Sequence, residues 1–364
     1  MIASAAQSLV THNKLRTDKN MTASNQTAFP IHEVHCADKH HEAQFIVETI
    51  KALIHTGQYS YDDIAVLYRG THNINAIQKP LIENKIPYFV TGGTHYYDRR
   101  DVKDVLAHLS FLVHWEDEWS FLRILYSNRI NKQIAEHFVE MAGNLKMNLA
   151  QAIMDNDFLS RLQLKPRMKR KFQDIASQFE RWHSMMEKNE CNLSALTDMI
   201  VHETGLKVNS EVLDLLHTQI YALRDSQQSS MQHLWNFLEH MMTEAKHRKR
   251  DSDNRIAVST IHQAKGLEWK VVFIPQLYEK AFPTIHAINS PDDAVMEEER
   301  RLMFVSMTRA VDRLILTYPA ASGKPSRFLS EIPSKFVKNT VLLSDSAAMK
   351  QLVDRVVNEK VQPQ

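Results

Sequence analysis

The sequence has little cysteine and little glycine. Its two cysteines, Cys36 and Cys191, stand far apart with no Cys-x-x-Cys spacing. They therefore supply neither a zinc site nor a disulfide framework, and two lone thiols fit a reducing cytoplasm. Only 8 glycines occur in 364 residues, which favours helices over a glycine-punctuated all-β fold. No apolar run reaches the about eighteen residues that a membrane span needs, and no signal-peptide pattern is present. Neither sign of charge dominates: 44 basic and 43 acidic residues leave a net charge of +1. A globally basic nucleic-acid binder is not indicated, although a local basic groove stays open. The 19 histidines are scattered and form no His-Glu-x-x-His pair.

What is present is ordinary for a globular chain: 43% hydrophobic and 24% charged residues, enough for one to three domains and a sizeable core. Small and apolar residues of "IASAAQSLVTHNKLR" fall at helical spacing. "FPIHEVHC" alternates like a strand, with Ile31 and Val34 as its apolar members. In "HEAQFIVETIKALIHTG", Ala43, Ile46, Val47, Ile50, Leu53 and Ile54 recur at helical steps, and Gly57 is suited to end the helix. "DIAVLYR" reads as a strand buried on both faces, and a helix through Ile77 and Leu81 leads to a strand near "PYFV". This βαβα rhythm implies a parallel sheet.

The rhythm stops near Tyr97. From about Asp98 to Arg250 only helical periodicity is seen, and the many Met and Trp residues of this block are read as core packing. The charge run "KHRKRD" (Lys246 to Asp251) is read as a solvated face or linker. Strand signals return at "NRIAVSTI" and "KVVFIP". A helix then runs from "MEEERR" through "LMFVSMTRAV" into the strand "RLILTY", and the last twenty or so residues read as a weak helix with a polar end. The expected fold is α/β, with a parallel sheet discontinuous in sequence, helices on both faces and an all-helical insertion. The expected segments are 1–97 and 253–340 for the sheet domain, 98–252 for the insertion and 341–364 for a tail.

Between two of these strands lies "VSTIHQAKGLEW" (Val258 to Trp269), with His, Lys and Glu three residues apart. On spacing alone it is a strand–turn–strand with solvated polar residues. In order along the chain stand "DIAVLYR", "PYFVTGGTHYYDRRDVKD", "VSTIHQAKGLEWKVVFIP", Phe282–Pro283, "EEERRLMFVSMTRAVDRLILTY" and "PSRFLSEIP". Together they resemble the C-terminal half of the UvrD/Rep/PcrA family of superfamily 1 DNA helicases, over residues 1 to about 335.

That resemblance implies the second of two RecA-like motor domains, carrying a helical insertion, with ATP and Mg²⁺ bound in the cleft between the domains. The family unwinds DNA 3′ to 5′ in replication or repair. By the same resemblance Thr260 and His262 face single-stranded DNA, and Glu268 accepts a hydrogen bond from the nucleotide ribose. Lys265 and Gly266 shape the turn of a short strand–turn–helix element. Arg309 matches the arginine finger, for which the chemistry wants a permanent, planar, forked cation. It could also simply offset the negative pole of a helix end. Arg69 and Phe328 match positions near the DNA track, where an aromatic stacks on bases. The residues alone equally allow a core aromatic at Phe328 and an ion pair at Arg69. Partners implied are single-stranded DNA, single/double-strand junctions and a first RecA-like domain.

The sequence departs from the family in several places. No Gly-x₄-Gly-Lys-Ser/Thr occurs, and the one Gly-Lys, Gly323–Lys324, is followed by Pro325. No acidic pair follows an apolar strand. A fragment or truncated product of a longer helicase is therefore expected, one inactive by itself. The alternative is a non-catalytic DNA- or protein-binding module that keeps the fold. "SNRINKQ" replaces the usual Gly-Ile-Gly of the insertion, which puts duplex gripping by Arg129 in question. Ser306, Trp269 and Gln276 stand where Gly, Phe and Gly are usual.

Overall fold

The computed structural model describes residues 1–14, 29–70, 74–92, 96–247, 254–338, 342–343 and 346–359. The chain divides into two compact units, one of residues 1–94 with 251–364 and one of residues 95–250.

Among the described residues the first unit is built on eight strands. They are β1 (Ile31–Cys36), β2 (Ile64–Tyr68), β3 (Tyr88–Thr91), β4 (Ile256–Thr260), β5 (Trp269–Ile274), β6 (Ala310–Pro319), β7 (Val337–Lys338) and β8 (Leu342–Leu343). Their order is β3-β4-β2-β5-β6-β1-β7, with β8 also beside β1. Every pairing is parallel. The sheet thus draws on two stretches of chain separated by the helical unit. All five residues of β2 are buried, as a strand covered on both faces requires.

Side chains alternate between two cores. Val66 and Tyr68 point to one, which also takes Val258, Phe273, and Phe45 and Ile50 of helix Lys39–His55. Ala65 and Leu67 point to the other, with Val272, Leu314, and Leu302 and Met303 of helix Asp293–Met307. Helix Lys39–His55 starts where the Asp38 side chain accepts the His41 N–H, and the chain turns away at Gly57 with φ +70°. Helix Ser346–Asn358, from the segment read as a tail, adds Met349, Leu352, Val353, Val356 and Val357 to the first core. Ala310, read as helical, instead opens β6, because the helix ends at Met307.

Among the described residues of the second unit, the α-helices and short turns between 96 and 247 form no strand. Phe111, Phe121, Phe138, Phe158, Phe172, Phe179 and Trp182 make a continuous chain of ring contacts with centroids 4.9–5.3 Å apart. The reading of Met and Trp as core holds for Trp182 and Met186 but fails for Trp119, which is 85% exposed. Phe121, Ile124 and Leu125 form the buried side of helix Glu118–Ser127, and Trp119 lies off it. Of the run Lys246 to Asp251, residues 248–251 lie outside the described residues.

Candidate nucleotide and nucleic-acid edges of the sheet

β4 and β5 flank β2 and run parallel to it, with Thr260 level with Tyr68 and Val271 level with Ile64. A chain leaving the end of β4 must therefore travel the length of the sheet to begin β5. Residues 261–268 do this without a helix, so the expected strand–turn–helix is a strand–turn–strand. The Gln263 and Ala264 N–H groups donate to the Thr260 carbonyl at 3.0 and 3.1 Å, and the Ile261 N–H donates to the Tyr68 carbonyl at 2.9 Å. Ile261 and Ala264 are buried in the core that holds helix Asp293–Met307. Gly266 turns the chain at φ +88°, where a side chain is strained. At about 3.3 Å per strand residue, Thr260 and Trp269 stand roughly 20 Å apart along the sheet.

Thr260, His262, Glu268 and Arg309 thus separate into two groups. At the carboxyl edge Thr260 is buried and His262 is exposed. At the amino edge Glu268 is exposed, one residue before β5. Arg309 joins it there, because its backbone carbonyl accepts the Trp269 N–H at 2.9 Å. The Arg309 guanidinium donates to the Leu267 carbonyl at 2.9 Å, the Val305 carbonyl at 3.0 Å and the Thr308 hydroxyl at 3.1 Å. An exposed carboxylate can accept from hydroxyls, and a guanidinium is a forked cation suited to phosphate. Among the described residues no group of three or more His, Cys, Asp or Glu side chains is placed to hold a metal ion.

Arg69 follows β2 at the carboxyl edge. It makes a forked ion pair with Glu299, with N–O distances of 2.7–3.1 Å, and the Thr284 hydroxyl donates to the same carboxylate at 3.2 Å. The structure therefore shows the ion pair for Arg69. Phe328 is fully buried, edge-on to Phe282 at 5.5 Å, with the Arg300 guanidinium 5.8 Å from its ring centre. It is a core aromatic, and its ring offers no face to a base. Neither outcome was visible in local patterning, since both partners come from distant parts of the chain.

Below this edge Glu42 is buried between β6 and the end of β5, accepting the Thr317 hydroxyl at 2.6 Å and the Gln276 N–H at 2.8 Å. Burial pushes its carboxyl up to about 7. Gln276 has φ +61°, which accounts for the glycine usual at that position. Ser306 is tolerated because its buried hydroxyl bonds back to the Met303 carbonyl at 2.7 Å.

Two features escaped the sequence reading. One is Gly92, just past β3, which touches the start of the motif turn. The Gly-Gly of "VTGG" was its only signal. The other lies in the helical unit, around the start of helix Pro166–Glu187. Arg161, Lys165, Arg167 and Arg170 are exposed there, and among the described residues none has an ion-pair partner. Elsewhere in that unit Arg99, Lys103, Arg123 and Arg181 are paired with acids. Lys171 donates to the Asn128 carbonyl at 2.8 Å, which ties this helix to the turn carrying the exposed Arg129 at φ +57°.

The ATP-dependent DNA helicase PcrA of Staphylococcus aureus is 28% identical, over 93% of this chain and 48% of its own length. PcrA of Staphylococcus epidermidis is 28% identical, over 91% and 48%. The chain spans about half the length of the curated relatives it matches. A model of the UvrD-like helicase C-terminal domain matches residues 1–321, and the chain belongs to that family.

Proposed function

We propose that this chain is the second motor domain, with its helical insertion, of an ATP-dependent 3′-to-5′ DNA helicase. The observation that carries the reading is the motif running from one edge of the sheet to the other. It sets Thr260 and His262 at the carboxyl edge and Glu268 beside Arg309 at the amino edge. Single-stranded DNA is the ligand of the first edge, and ATP with Mg²⁺ that of the second. Glu268 holds the ribose and Arg309 the γ-phosphate, where charge builds during phosphoryl transfer. The P-loop and the groups that bind Mg²⁺ and orient water belong to a first RecA-like domain, the obligatory partner. The exposed cations at residues 161–170 suit the duplex arm of a single/double-strand junction, since unpaired cations release phosphate counterions.

The test has two parts. The chain by itself binds oligo-dT weakly, at about micromolar affinity or worse, with affinity falling linearly against salt on a log–log plot. His262→Ala weakens that binding in fluorescence anisotropy at low salt. Joined to a P-loop-bearing first motor domain, the chain supports DNA-stimulated ATP hydrolysis, whereas alone it hydrolyses none. Turnover by the purified chain alone refutes the division of labour. DNA binding with no turnover in the joined protein identifies a non-catalytic binding module instead.

A further inference from the structure

The motif turn does not stand free at the carboxyl edge. β3 pairs with β4 so that Thr91 lies level with Ser259, which brings Gly92 level with Thr260. A Cβ on Gly92 would meet Gln263 Cγ at 2.2 Å, Thr260 Oγ1 at 2.4 Å and Gln263 Cβ at 3.0 Å. Real Cβ atoms do not approach other heavy atoms that closely, so the turn closes over this α-carbon only because it is bare. Gly92 also sits at φ +75°, which a side chain adopts at a cost. Strain alone is shared with Gly57 (φ +70°), above which there is open space. The contact is therefore what sets Gly92 apart.

Thr260 and Gln263 bracket His262, and the Thr260 carbonyl accepts from both Gln263 and Ala264. A displacement of Gln263 therefore rotates the turn that carries the exposed imidazole. We propose that Gly92 is a positioning residue: its bare α-carbon seats the Thr260–Gln263 turn and so fixes the direction in which His262 faces single-stranded DNA. This rests on the reading of His262 as a DNA contact. It assigns the end of β3, where the chain passes toward the helical unit, a part in the same site.

The experiment compares oligo-dT affinity, by anisotropy at low salt, with melting temperature for the 364-residue chain and its variants. Gly92→Ala is expected to lose about tenfold in affinity, as His262→Ala does, the scale of one lost base contact. Gly57→Ala, equally strained but unobstructed, is expected to lower the melting temperature and leave affinity unchanged. A double-mutant cycle supplies a readout that general destabilisation does not move. Gly92→Ala is expected to cost severalfold less affinity in a Gln263→Ala background than in the wild type, because the nearest obstruction is gone. Additive effects, or a Gly92→Ala variant that binds as the wild type does while His262→Ala is impaired, overturn the proposal. If Gly92→Ala alone does not fold, recovery of folding when Gln263→Ala and Thr260→Ala together clear the two nearest atoms supports the contact, and failure to recover overturns it. A wild-type chain with no affinity for oligo-dT refutes the DNA reading itself, an outcome distinct from all of these.

Discussion

Glu42, Glu297, Glu299, Arg300 and Arg313 are all buried, and all five lie in the α/β unit. The buried polar side chains described in the helical unit are His108, Ser110, Thr197, Thr218 and His233, none with a permanent charge. The difference reflects what each unit must hold still. In the α/β unit, buried charges tie together segments far apart in sequence. Arg69 meets Glu299, Arg300 meets Glu331 and Asn13, and Arg313 meets Tyr59, Val356 and Val357. Such pairs contribute little net stability but are costly to break, so they fix position more than they add strength. The sheet needs that fixity to keep two edges roughly 20 Å apart in register. The helical unit is held by ring packing, which is strong but less specific in direction.

The largest expected effect breaks the amino edge. In the joined enzyme Arg309→Ala should cut kcat by about 10³, the lower end of the range for arginine fingers. Arg309→Lys should rescue poorly, since an ammonium cannot span two oxygens in a fixed plane. Normal DNA-stimulated turnover in Arg309→Ala would make it a helix-end charge and nothing more.

Next comes a buried charge that serves the fold. Arg313 donates to the Val356 and Val357 carbonyls at 2.7 and 2.8 Å and to the Tyr59 hydroxyl at 3.1 Å, with Phe29 3.6 Å beneath it. Arg313→Met leaves those acceptors buried without a partner, at a cost of about 3–4 kcal/mol. Urea unfolding should show it, with amide exchange rising first in helix Ser346–Asn358. A loss below about 1 kcal/mol would mean that the carbonyls find other donors.

The helical unit should fail first in acid. Burial lowers His108 to about 4, and it stacks on Phe179 at 5.9 Å while its Nδ1 bonds the Asp104 carbonyl at 2.7 Å. An unfolded His binds its proton below about 6.5, whereas the folded one resists until about 4. The stability this contributes is complete above pH 6.5 and is lost as pH falls from 6.5 to 4, by roughly 3 kcal/mol. His233 is lowered too, again by burial, and acts in the same direction. In the α/β unit, burial lowers His32 to about 4, but Glu42 opposes it. Glu42 is raised, so its contribution is complete below 4.5 and is lost as pH rises through about 7. Trp115, Trp119, Trp182 and Trp235, four of the five tryptophans, report on the helical unit. Their fluorescence at pH 5 should show unfolding at lower urea than at pH 7.5, and His108→Phe should narrow the gap. Equal midpoints at both pH values would remove His108 as the cause.

The contrast between the units also explains what the sequence made legible. Helix Lys39–His55, the doubly buried β2 and the helical block all follow from period and composition within one short window. The edge-to-edge motif was recognisable because its residues are contiguous. Phe328 and Arg69 went the other way. Their surroundings, Phe282 and Arg300 for one and Glu299 for the other, are set by tertiary packing across up to 230 residues. No local pattern separates an arginine that meets phosphate from one that meets a buried glutamate. Gly92 was equally silent, since a bare α-carbon leaves no trace of what approaches it.

The smallest expected effect sharpens the comparison within the amino edge, between the exposed Glu268 and the half-buried Arg309, to which we assign different tasks. Glu268 is a carboxylate one residue from β5, with no buried partner to lose. A ribose hydroxyl donating to it forms that bond equally in the bound ground state and in the transition state, because the ribose takes no part in the chemistry. Uniform binding of this kind lowers KM and leaves kcat alone. A hydrogen bond to a charged acceptor is worth about 1.5–3 kcal/mol, and exposure to water places this one at the low end. Glu268→Ala in the joined enzyme should therefore raise the KM for ATP about tenfold and change kcat less than about twofold. Glu268→Gln, which keeps an acceptor oxygen without the charge, should fall between. Arg309→Ala should show the reverse split, because γ-phosphate charge is greatest in the transition state. A Glu268→Ala variant whose kcat falls as far as that of Arg309→Ala would show that the carboxylate acts on the reacting phosphate or on Arg309 itself. The separation of binding from chemistry along this edge would then be wrong.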